Sequence, residues 1–128
     1  NGDPVADMLY TCNFLYFGLN EAAHATNNPK YFQAAHKLSE FLVRIQAASS
    51  LHEDLDGAWF RAFDYGRWDY WASNADNGWG AWSTLTGWIQ SWIVGTEVLH
   101  QNNKSYWETT KQINMKKAFE ESLWMLEK

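Results

Sequence analysis

The stretch GLNEAAHATNNPKYF, residues 18–32, ends one helical pattern and starts the next across two adjacent asparagines. Asn28 followed by Pro29 is a strong helix start, because asparagine caps the first N–H groups and proline suits the first helical turn. The stretch GTEVLHQNNKSYW, residues 95–107, repeats its polar residues at an offset of 75 to 76 positions. The repeated residues are Glu21, His24, Asn27, Asn28 and Tyr31 in the first stretch, and Glu97, His100, Asn102, Asn103 and Tyr106 in the second. This repeat predicts two αα-hairpins, units that need neighbours to bury their inner helices.

Hydrophobic periodicity predicts four helices of two kinds. Residues 4–26 and 83–100 are apolar on most sides and carry almost no charge, which is typical of inner helices. The helices that start at Asn28 and after Asn114 each show a charged stripe, which is typical of outer helices. The first helix has a second apolar set on another face, at Tyr10, Phe14 and Phe17. Six residues of the last two helices are expected to be buried: Trp88 and Trp92 on the third helix, and Met115, Phe119, Leu123 and Leu126 on the fourth.

Between the two hairpins lies a connection, residues 49–82, that is far longer than the about 2 to 8 residues usual between bundle helices. Its segments GAWFRAFD and RWDYWASN predict an antiparallel β-hairpin in which Asp64 pairs with Arg67. The same register pairs Phe63 with Trp68, Arg61 with Tyr70, and Phe60 with Trp71. The chain is therefore expected to form a single domain, with a first helical hairpin over 1–48, this connection over 49–82, and a second helical hairpin over 83–128.

The composition favours a surface with aromatic side chains. Nine of the 128 residues are tryptophan, where an average composition gives about two. Because an indole rarely buries fully, some of these rings are expected at the surface. A net charge of −5 with only three arginines argues against nucleic acid as a partner, and no apolar run is long enough to span a membrane. The single cysteine, Cys12, lies in an apolar pattern and is expected to be a buried, inert thiol.

Topology places the long connection at a definite end of the bundle. Each short turn joins the end of an inner helix to the start of an outer one, so both short turns lie at one end and the connection lies at the other. There it meets the start of the third helix, whose free N–H groups favour oxygens and carboxylates. This end is expected to collect most of the tryptophans together with Asp56, Arg61, Asp64, Asp69, Asn74, Asp76 and Asn77. Indole faces stack on pyranose rings while planar polar groups bind hydroxyls, so the sequence predicts a carbohydrate-binding surface.

Three stretches, NPKYFQAAHKLSEFLVRIQ, DGAWFRAFDY and SNADNGWGAWSTLTGWIQSWI, resemble the six-hairpin (α/α) toroid glycosidase superfamily, especially its polysaccharide-degrading members. The resemblance covers about residues 6–98. It implies an all-α fold of alternating inner and outer helices, and a sugar cleft at the end where the inner helices begin. A complete toroid has more helices than the four predicted here, so the chain resembles a C-terminal portion of one. Members are glycoside hydrolases, polysaccharide lyases and sugar epimerases, and a hydrolase is the expected activity, with the isolated portion expected to be inactive.

Asp76 is the predicted catalytic acid, because SNADNGWG is too polar for a core and stands just before a helix start. Hydrolysis needs two carboxyl groups, and Asp56, Asp64 and Asp69 are the other candidates, although sequence spacing identifies no pair. The predicted substrate-binding residues are Trp59, Arg61, Asp64, Trp71, Asn74, Trp79 and Trp82. Structural roles stay open for all of these: the tryptophans could pack the β-hairpin onto the helices, and the acids could fix turns or cap a helix.

Two other functions stay open from sequence. The same aromatic end could bind sugar without catalysis, or the exposed inner helices could dock a second copy or the missing hairpins. The paired Glu-x-x-His motifs are typical of di-iron bundles, but here they lie in the last turn of each helix, so we expect neither a metal site nor a cofactor. A periplasmic or secreted location is expected, although this chain contains no signal segment.

Overall fold

The computed structural model describes residues 4–71 and 87–125 of the chain. These residues are mostly helical, with a small antiparallel sheet, as predicted; the sheet has three strands instead of two. The elements are β1 (Val5–Asp7), a π-helical segment (Met8–Cys12), α1 (Asn13–Thr26), α2 (Pro29–Arg44), β2 (Ala62–Asp64), β3 (Asp69–Trp71), α3 (Gly87–Gln101), α4 (Tyr106–Lys111), α5 (Met115–Ser122) and a final 3₁₀ turn (Leu123–Met125).

The turn between α1 and α2 is built by its two asparagines, as predicted. Asn27 ends α1 in the left-handed conformation at φ 50°, which asparagine tolerates better than most residues. The Asn28 side chain accepts a hydrogen bond from the backbone N–H of Lys30 at 3.0 Å and caps α2, with Pro29 as its first residue. Asn103 has the same φ of 50° after α3, so the internal repeat is visible in the backbone.

The expected start of the first helix at Pro4 is wrong. Val5–Asp7 forms strand β1, which pairs antiparallel with β2, and the backbone N–H of Met8 continues the pairing by donating to the carbonyl of Arg61 at 2.8 Å. Apolar spacing in this short segment fits a helix or a strand. Pairing with β2 favours the strand, because without β1 the backbone N–H and C=O groups along that edge of β2 would have no hydrogen-bond partners in the sheet.

The register of the β-hairpin differs from the prediction by two residues. Asp64 pairs with Asp69 instead of Arg67, which leaves a turn at residues 65–68. The carboxylate of Asp64 accepts hydrogen bonds from the backbone N–H groups of Gly66 and Arg67, each at 2.9 Å. Trp68 takes the left-handed position at φ 58°. The longer turn is favoured because the Asp64 carboxylate accepts hydrogen bonds from the backbone N–H groups of the turn. A two-residue turn at residues 65–66 would not allow these hydrogen bonds.

Gly66 is expected to tolerate no larger residue, because its hydrogen faces the chain at Pro4. A Cβ at this position would lie 2.6 Å from Pro4 Cγ and 3.2 Å from Asp64 Oδ1. Gly66→Ala should therefore lower the free energy of unfolding by about 1 to 3 kcal/mol, measured by urea denaturation. The control is Gly18→Ala in α1, where a Cβ meets nothing within 4 Å and where alanine should stabilise the helix by about 0.5 to 1 kcal/mol. Equal effects at the two positions would contradict the close approach of Pro4.

The predicted burial of the α3 tryptophans is wrong. Trp88 is 61% exposed and Trp92 is 48% exposed, whereas Ile89 and Ile93 are completely buried. Adjacent residues on a helix point about 100° apart, so a rotation of one position exchanges the buried and exposed sets. The aliphatic residues occupy the space against α1 and α2, and the indoles lie at the surface.

The fourth predicted helix begins after Asn114 as expected, as α5, and a short helix that was not predicted, α4, precedes it. Ser105 and Glu108 form a capping box that starts α4, and Asn114 caps α5 by accepting from the backbone N–H of Lys117 at 3.1 Å. Met115, Phe119 and Leu123 are exposed, so their predicted burial is wrong; Leu126 lies outside the described residues. Neither short helix contains a buried residue.

The core lies where α1 packs against α2 and α3 and where the sheet closes one end. Its buried residues are Met8, Cys12, Tyr16, Ala35, Leu42, Ile45, Trp59, Phe63, Ile89 and Ile93. Burial, with Asp7 nearby, raises the pKa of the Cys12 thiol to about 11, so the thiol stays protonated at neutral pH. The prediction of a buried, inert cysteine is confirmed for its burial and for its low tendency to ionise.

Candidate functional site

A groove of about 640 Å³ lies between α1 and α3, and we call it the aromatic groove. Its lining residues are Asn13, Phe14, Phe17, Ser91, Trp92, Gly95, Thr96, Leu99 and Tyr106. The ring of Phe14 meets that of Trp92 edge to face at 5.1 Å, and Phe17 meets Tyr106 in the same way at 6.0 Å. The predicted second apolar face of the first helix therefore forms one wall of a groove.

Further aromatic rings lie beyond the Phe14 end of the aromatic groove, next to the sheet. The ring of Tyr10 stacks near Phe14 at 6.3 Å, and the guanidinium carbon of Arg61 lies 5.8 Å from the centre of the Tyr10 ring. Trp88 stands one helical turn before Trp92 and is exposed on the same side of α3. This end of the groove is where α1 begins, and it brings the predicted binding residue Arg61 next to exposed aromatic rings.

Sequence reasoning missed most of the aromatic groove. Phe14, Phe17 and Tyr106 were not among the predicted binding residues, and Trp92 was expected in the core. The available signal was the excess of aromatic residues on nearly every side of the first helix. Among the described lining residues no side chain is a carboxylate, so the groove offers ring faces, amides and hydroxyls but no acid of its own.

Trp59, one of the predicted binding residues, belongs to the core and is only 3% exposed. Its indole N–H donates to the carbonyl of Leu42 at 2.8 Å. Its backbone N–H donates to Gln90 Oε1 at 3.0 Å, and Gln90 Nε2 donates back to the Trp59 carbonyl at 2.7 Å. Trp59 therefore fastens the long connection to both α2 and α3, and its ring has no free face for a sugar.

Two of the candidate acids act as turn residues. Asp64 is buried, and besides its two backbone hydrogen bonds it lies 3.6 Å from Arg67 Nε. Asp56 is exposed and accepts a hydrogen bond from the backbone N–H of Ser49 at 3.1 Å, which closes the loop after α2. These contacts match the structural alternative for both acids and leave Asp64 little surface for a ligand.

The other predicted site residues fall into two groups. Trp71 ends β3 and is half-buried, with the guanidinium carbon of Arg67 at 5.9 Å from its ring centre. Asp69 is exposed at the start of β3. Asn74, Asp76, Trp79 and Trp82 lie outside the described residues.

The one acid on α3, Glu97, is at the centre of a polar network that sequence reasoning did not assign. The Tyr16 hydroxyl donates to Glu97 Oε2 at 2.5 Å, and the Ser39 hydroxyl donates to the same oxygen at 2.9 Å. Gln101 Nε2 donates to Glu97 Oε1 at 2.6 Å. Burial by itself raises the pKa of Glu97, but the hydrogen bonds from these three residues outweigh it, so the pKa lies below 4.5. This network joins α1, α2 and α3 through one carboxylate.

The two Glu-x-x-His motifs meet at the end of the bundle that holds both short turns. Glu21 Oε1 accepts from the backbone N–H of Tyr106 at 2.8 Å and so caps α4, while His24 Nδ1 lies 3.9 Å from a carboxylate oxygen of Glu108. The His100 ring stacks near that of His36 at 6.0 Å. Within residues 4–71 and 87–125, no group of three or more histidine, cysteine or acidic side chains is arranged to hold a metal ion.

Lowering the pH is expected to destabilise the fold, and protonation of His100 should cause the first part of the decrease in the free energy of unfolding. Burial lowers the pKa of His100 below its ordinary 6.5, so the unfolded chain takes up this proton more readily than the folded one. Stability should therefore be retained above about pH 6.5 and fall as the pH drops below it, with Glu97 adding a further loss below about pH 4.5.

Urea denaturation of wild type and His100→Gln at pH 8, 6 and 5 tests this expectation. The variant should lose less stability than wild type between pH 8 and pH 5. His52→Gln, in an exposed loop, is the control and should behave like wild type. A wild-type pH dependence that survives in His100→Gln would contradict the assignment to this histidine.

Comparison with known proteins identified no relatives: no family model, no curated protein and no solved structure matches the chain. Among the helices described here, none is long and apolar enough to cross a membrane.

Proposed function

We propose that this chain is a portion of a carbohydrate-active enzyme of the (α/α) toroid type, a glycoside hydrolase, located in the periplasm or secreted. The aromatic groove along the inner helices α1 and α3 is the observation that carries the proposal. The antiparallel pair of α1 and α2, joined by a two-residue turn, supports the alternation of inner and outer helices on which the proposal rests.

The groove suits sugar rings by its chemistry. Pyranose C–H faces stack on the exposed rings of Tyr10, Phe14 and Trp92, and hydroxyl groups find the hydroxyls of Ser91 and Thr96. Arg61 at the sheet end adds a cation beside the aromatic rings. An apolar groove edged by a few polar groups is the usual form of a small-molecule site.

Catalysis is proposed for Asp76, together with a second carboxylate that hydrolysis requires. Among the described acids, Asp69 is exposed and close in sequence, and it is a better partner than Asp64, whose carboxylate holds a turn. Asn74, Trp79 and Trp82 belong to the same segment as Asp76 and are proposed to bind the substrate with Trp71.

Binding is tested by titrating the chain with neutral oligosaccharides while recording tryptophan fluorescence. Trp92→Ala should weaken binding by about 2- to 12-fold, because stacking on an aromatic ring contributes about 0.5 to 1.5 kcal/mol. Trp124→Ala is the matched control, since Trp124 is 70% exposed and lies outside the groove. No response to any sugar, or equal losses in the two variants, would contradict the proposal.

Hydrolysis is tested in the complete toroid that the proposal implies. Asp76→Asn should abolish turnover while leaving sugar binding and the unfolding transition unchanged, since it removes one proton-transferring group and keeps the size of the side chain. The control Asp54→Asn changes an exposed loop acid and should leave activity intact. Activity that persists in Asp76→Asn would remove this residue from the mechanism.

A second candidate function is a protein-interaction module, favoured by the exposed apolar residues of the last two elements. Met115, Phe119 and Trp124 are 71%, 60% and 70% exposed. Apolar surface of this kind favours association with a second copy or with further helical hairpins. Sedimentation of the chain across a range of concentrations tests this; a monomer at every concentration would contradict self-association.

A further inference from the structure

A second, smaller pocket lies on the other side of α2, between that helix and the turn of the β-hairpin. We call it the hairpin pocket, and it is lined by Lys37, Glu40, Phe41, Arg44 and Trp68. Its volume is about 200 Å³, below the about 300 Å³ at which pockets for drug-sized ligands begin, so it suits a single ring. It shares no residue with the aromatic groove.

The α2 side of the hairpin pocket follows from helical spacing. Lys37, Phe41 and Arg44 stand at positions i, i+4 and i+7, and Glu40 lies at i+3, so all four share one face of the helix. The long side chains of the lysine and the arginine flank the Phe41 ring and are both exposed. Two cations thus stand about two helical turns apart on one face, on a chain with a net charge of −5.

The opposite side is formed by Trp68, whose backbone is in an unusual conformation. Its φ of 58° is rare for a bulky residue, and the left-handed region costs about 1 to 2 kcal/mol. The ring is held edge to face by Phe63 at 5.1 Å and by Phe41 at 6.5 Å, yet the residue stays 54% exposed. The turn therefore holds a half-exposed indole at the surface, at a position where asparagine or glycine would be less strained.

The charges in the hairpin pocket indicate which kind of ligand it can bind. The carboxylate of Glu40 is partly engaged, since Oε1 lies 3.8 Å from Nε2 of His36 on the preceding turn. Lys37 and Arg44 face the pocket with one carboxylate between them, which leaves an excess of positive charge beside an aromatic face. A ligand that fits this arrangement has a ring to stack and an anionic group to pair.

We propose that the hairpin pocket binds one carboxylate-bearing sugar ring, a uronic acid residue. The pyranose face stacks on Trp68, the carboxylate pairs with Arg44 and Lys37, and Glu40 accepts a hydrogen bond from a ring hydroxyl. The proposal goes beyond the sugar binding proposed for the aromatic groove, because it places an acidic sugar on the outer helix with residues of its own. Because the hairpin pocket and the aromatic groove share no residue, substitutions can abolish binding at one without changing the residues of the other.

The test is isothermal titration of the 128-residue chain with a trimer of galacturonic acid and with a neutral galactose trimer. The acidic trimer should bind, and the double variant Lys37→Gln/Arg44→Gln should weaken its binding by at least about tenfold, since two charge-assisted hydrogen bonds are lost. The matched control is Lys30→Gln/Lys111→Gln, which removes the same charge from two exposed positions outside the pocket and should bind as wild type.

Trp68→Asn supplies an independent measurement, because asparagine tolerates the left-handed backbone while removing the ring. This variant should lose binding of the acidic trimer and retain a cooperative unfolding transition. The proposal is overturned if the acidic trimer does not bind, if Lys37→Gln/Arg44→Gln weakens binding of both trimers equally, or if the two double variants lose the same affinity. Trp92→Ala should leave this binding unchanged, so failure here is distinguishable from failure of the aromatic groove.

Discussion

Replacing Trp59 by alanine is expected to lower the free energy of unfolding by about 3 to 5 kcal/mol, the usual cost of removing a large aromatic side chain from a core. The ring is 3% exposed and fills the space between the long connection and two helices. The substitution also leaves the Leu42 carbonyl without the indole N–H that it accepts at 2.8 Å. The loss should be measured by urea denaturation at neutral pH, followed by far-ultraviolet circular dichroism.

Trp107→Ala is the control for this expectation. Trp107 is 64% exposed and touches Tyr106 at a ring distance of 5.6 Å, so its removal should change stability by no more than about 0.5 kcal/mol. The same chemical change at the two positions isolates burial as the cause. A small effect of Trp59→Ala would show that this indole is not part of the core and would restore it as a candidate binding residue.

Glu97→Ala is expected to lower the free energy of unfolding by about 2 to 3 kcal/mol, because it leaves buried hydroxyl groups without an acceptor. Tyr16 is completely buried and Ser39 is 3% exposed, so neither hydroxyl can turn to water without a rearrangement of the helices. Urea denaturation measures the loss. The control Glu120→Ala removes an exposed glutamate whose pair with Lys116 spans 3.9 Å, and it should have almost no effect.

A double-mutant cycle with Tyr16→Phe separates the hydrogen bond from other effects of the substitution. Tyr16→Phe alone removes one donor to Glu97, and in the Glu97→Ala background it should be much less harmful, since the hydroxyl then has nothing to lose. The coupling between the two changes measures their interaction. Additive losses in the double variant would contradict the network.

The first helical hairpin could be predicted closely because its signals are local. An asparagine that accepts the left-handed conformation and an Asn-Pro helix start act within a few residues, and both appear at Asn27, Asn28 and Pro29. The same holds for the helix end at Asn103. The second turn runs over residues 102–105 and is followed by α4, a short helix that was not predicted ahead of the one that starts after Asn114.

The candidate site was harder to predict than the hairpin. Composition showed that aromatic rings would reach the surface, but it could not show which ones. Arg61 lies beside the Tyr10 ring, while Trp59 and Trp92 exchanged their expected places between surface and core. Periodicity places an apolar stripe to within about one residue on a helix, and an error of one residue turns a side chain by about 100°.

By itself the sequence determined the turn at Asn27 and Asn28, the helix starts at Pro29 and Met115, the long connection with its β-hairpin, and the aromatic excess, because caps, turns and composition act through neighbours in the chain. The tertiary structure alone decided that Val5–Asp7 is a strand, that Asp64 pairs with Asp69, and that Glu97 joins three helices. Each of these choices depends on a partner distant in sequence that supplies a hydrogen bond or fills a volume. Local helix and strand propensities are weak compared with such contacts, so the distant partner determines which structure forms.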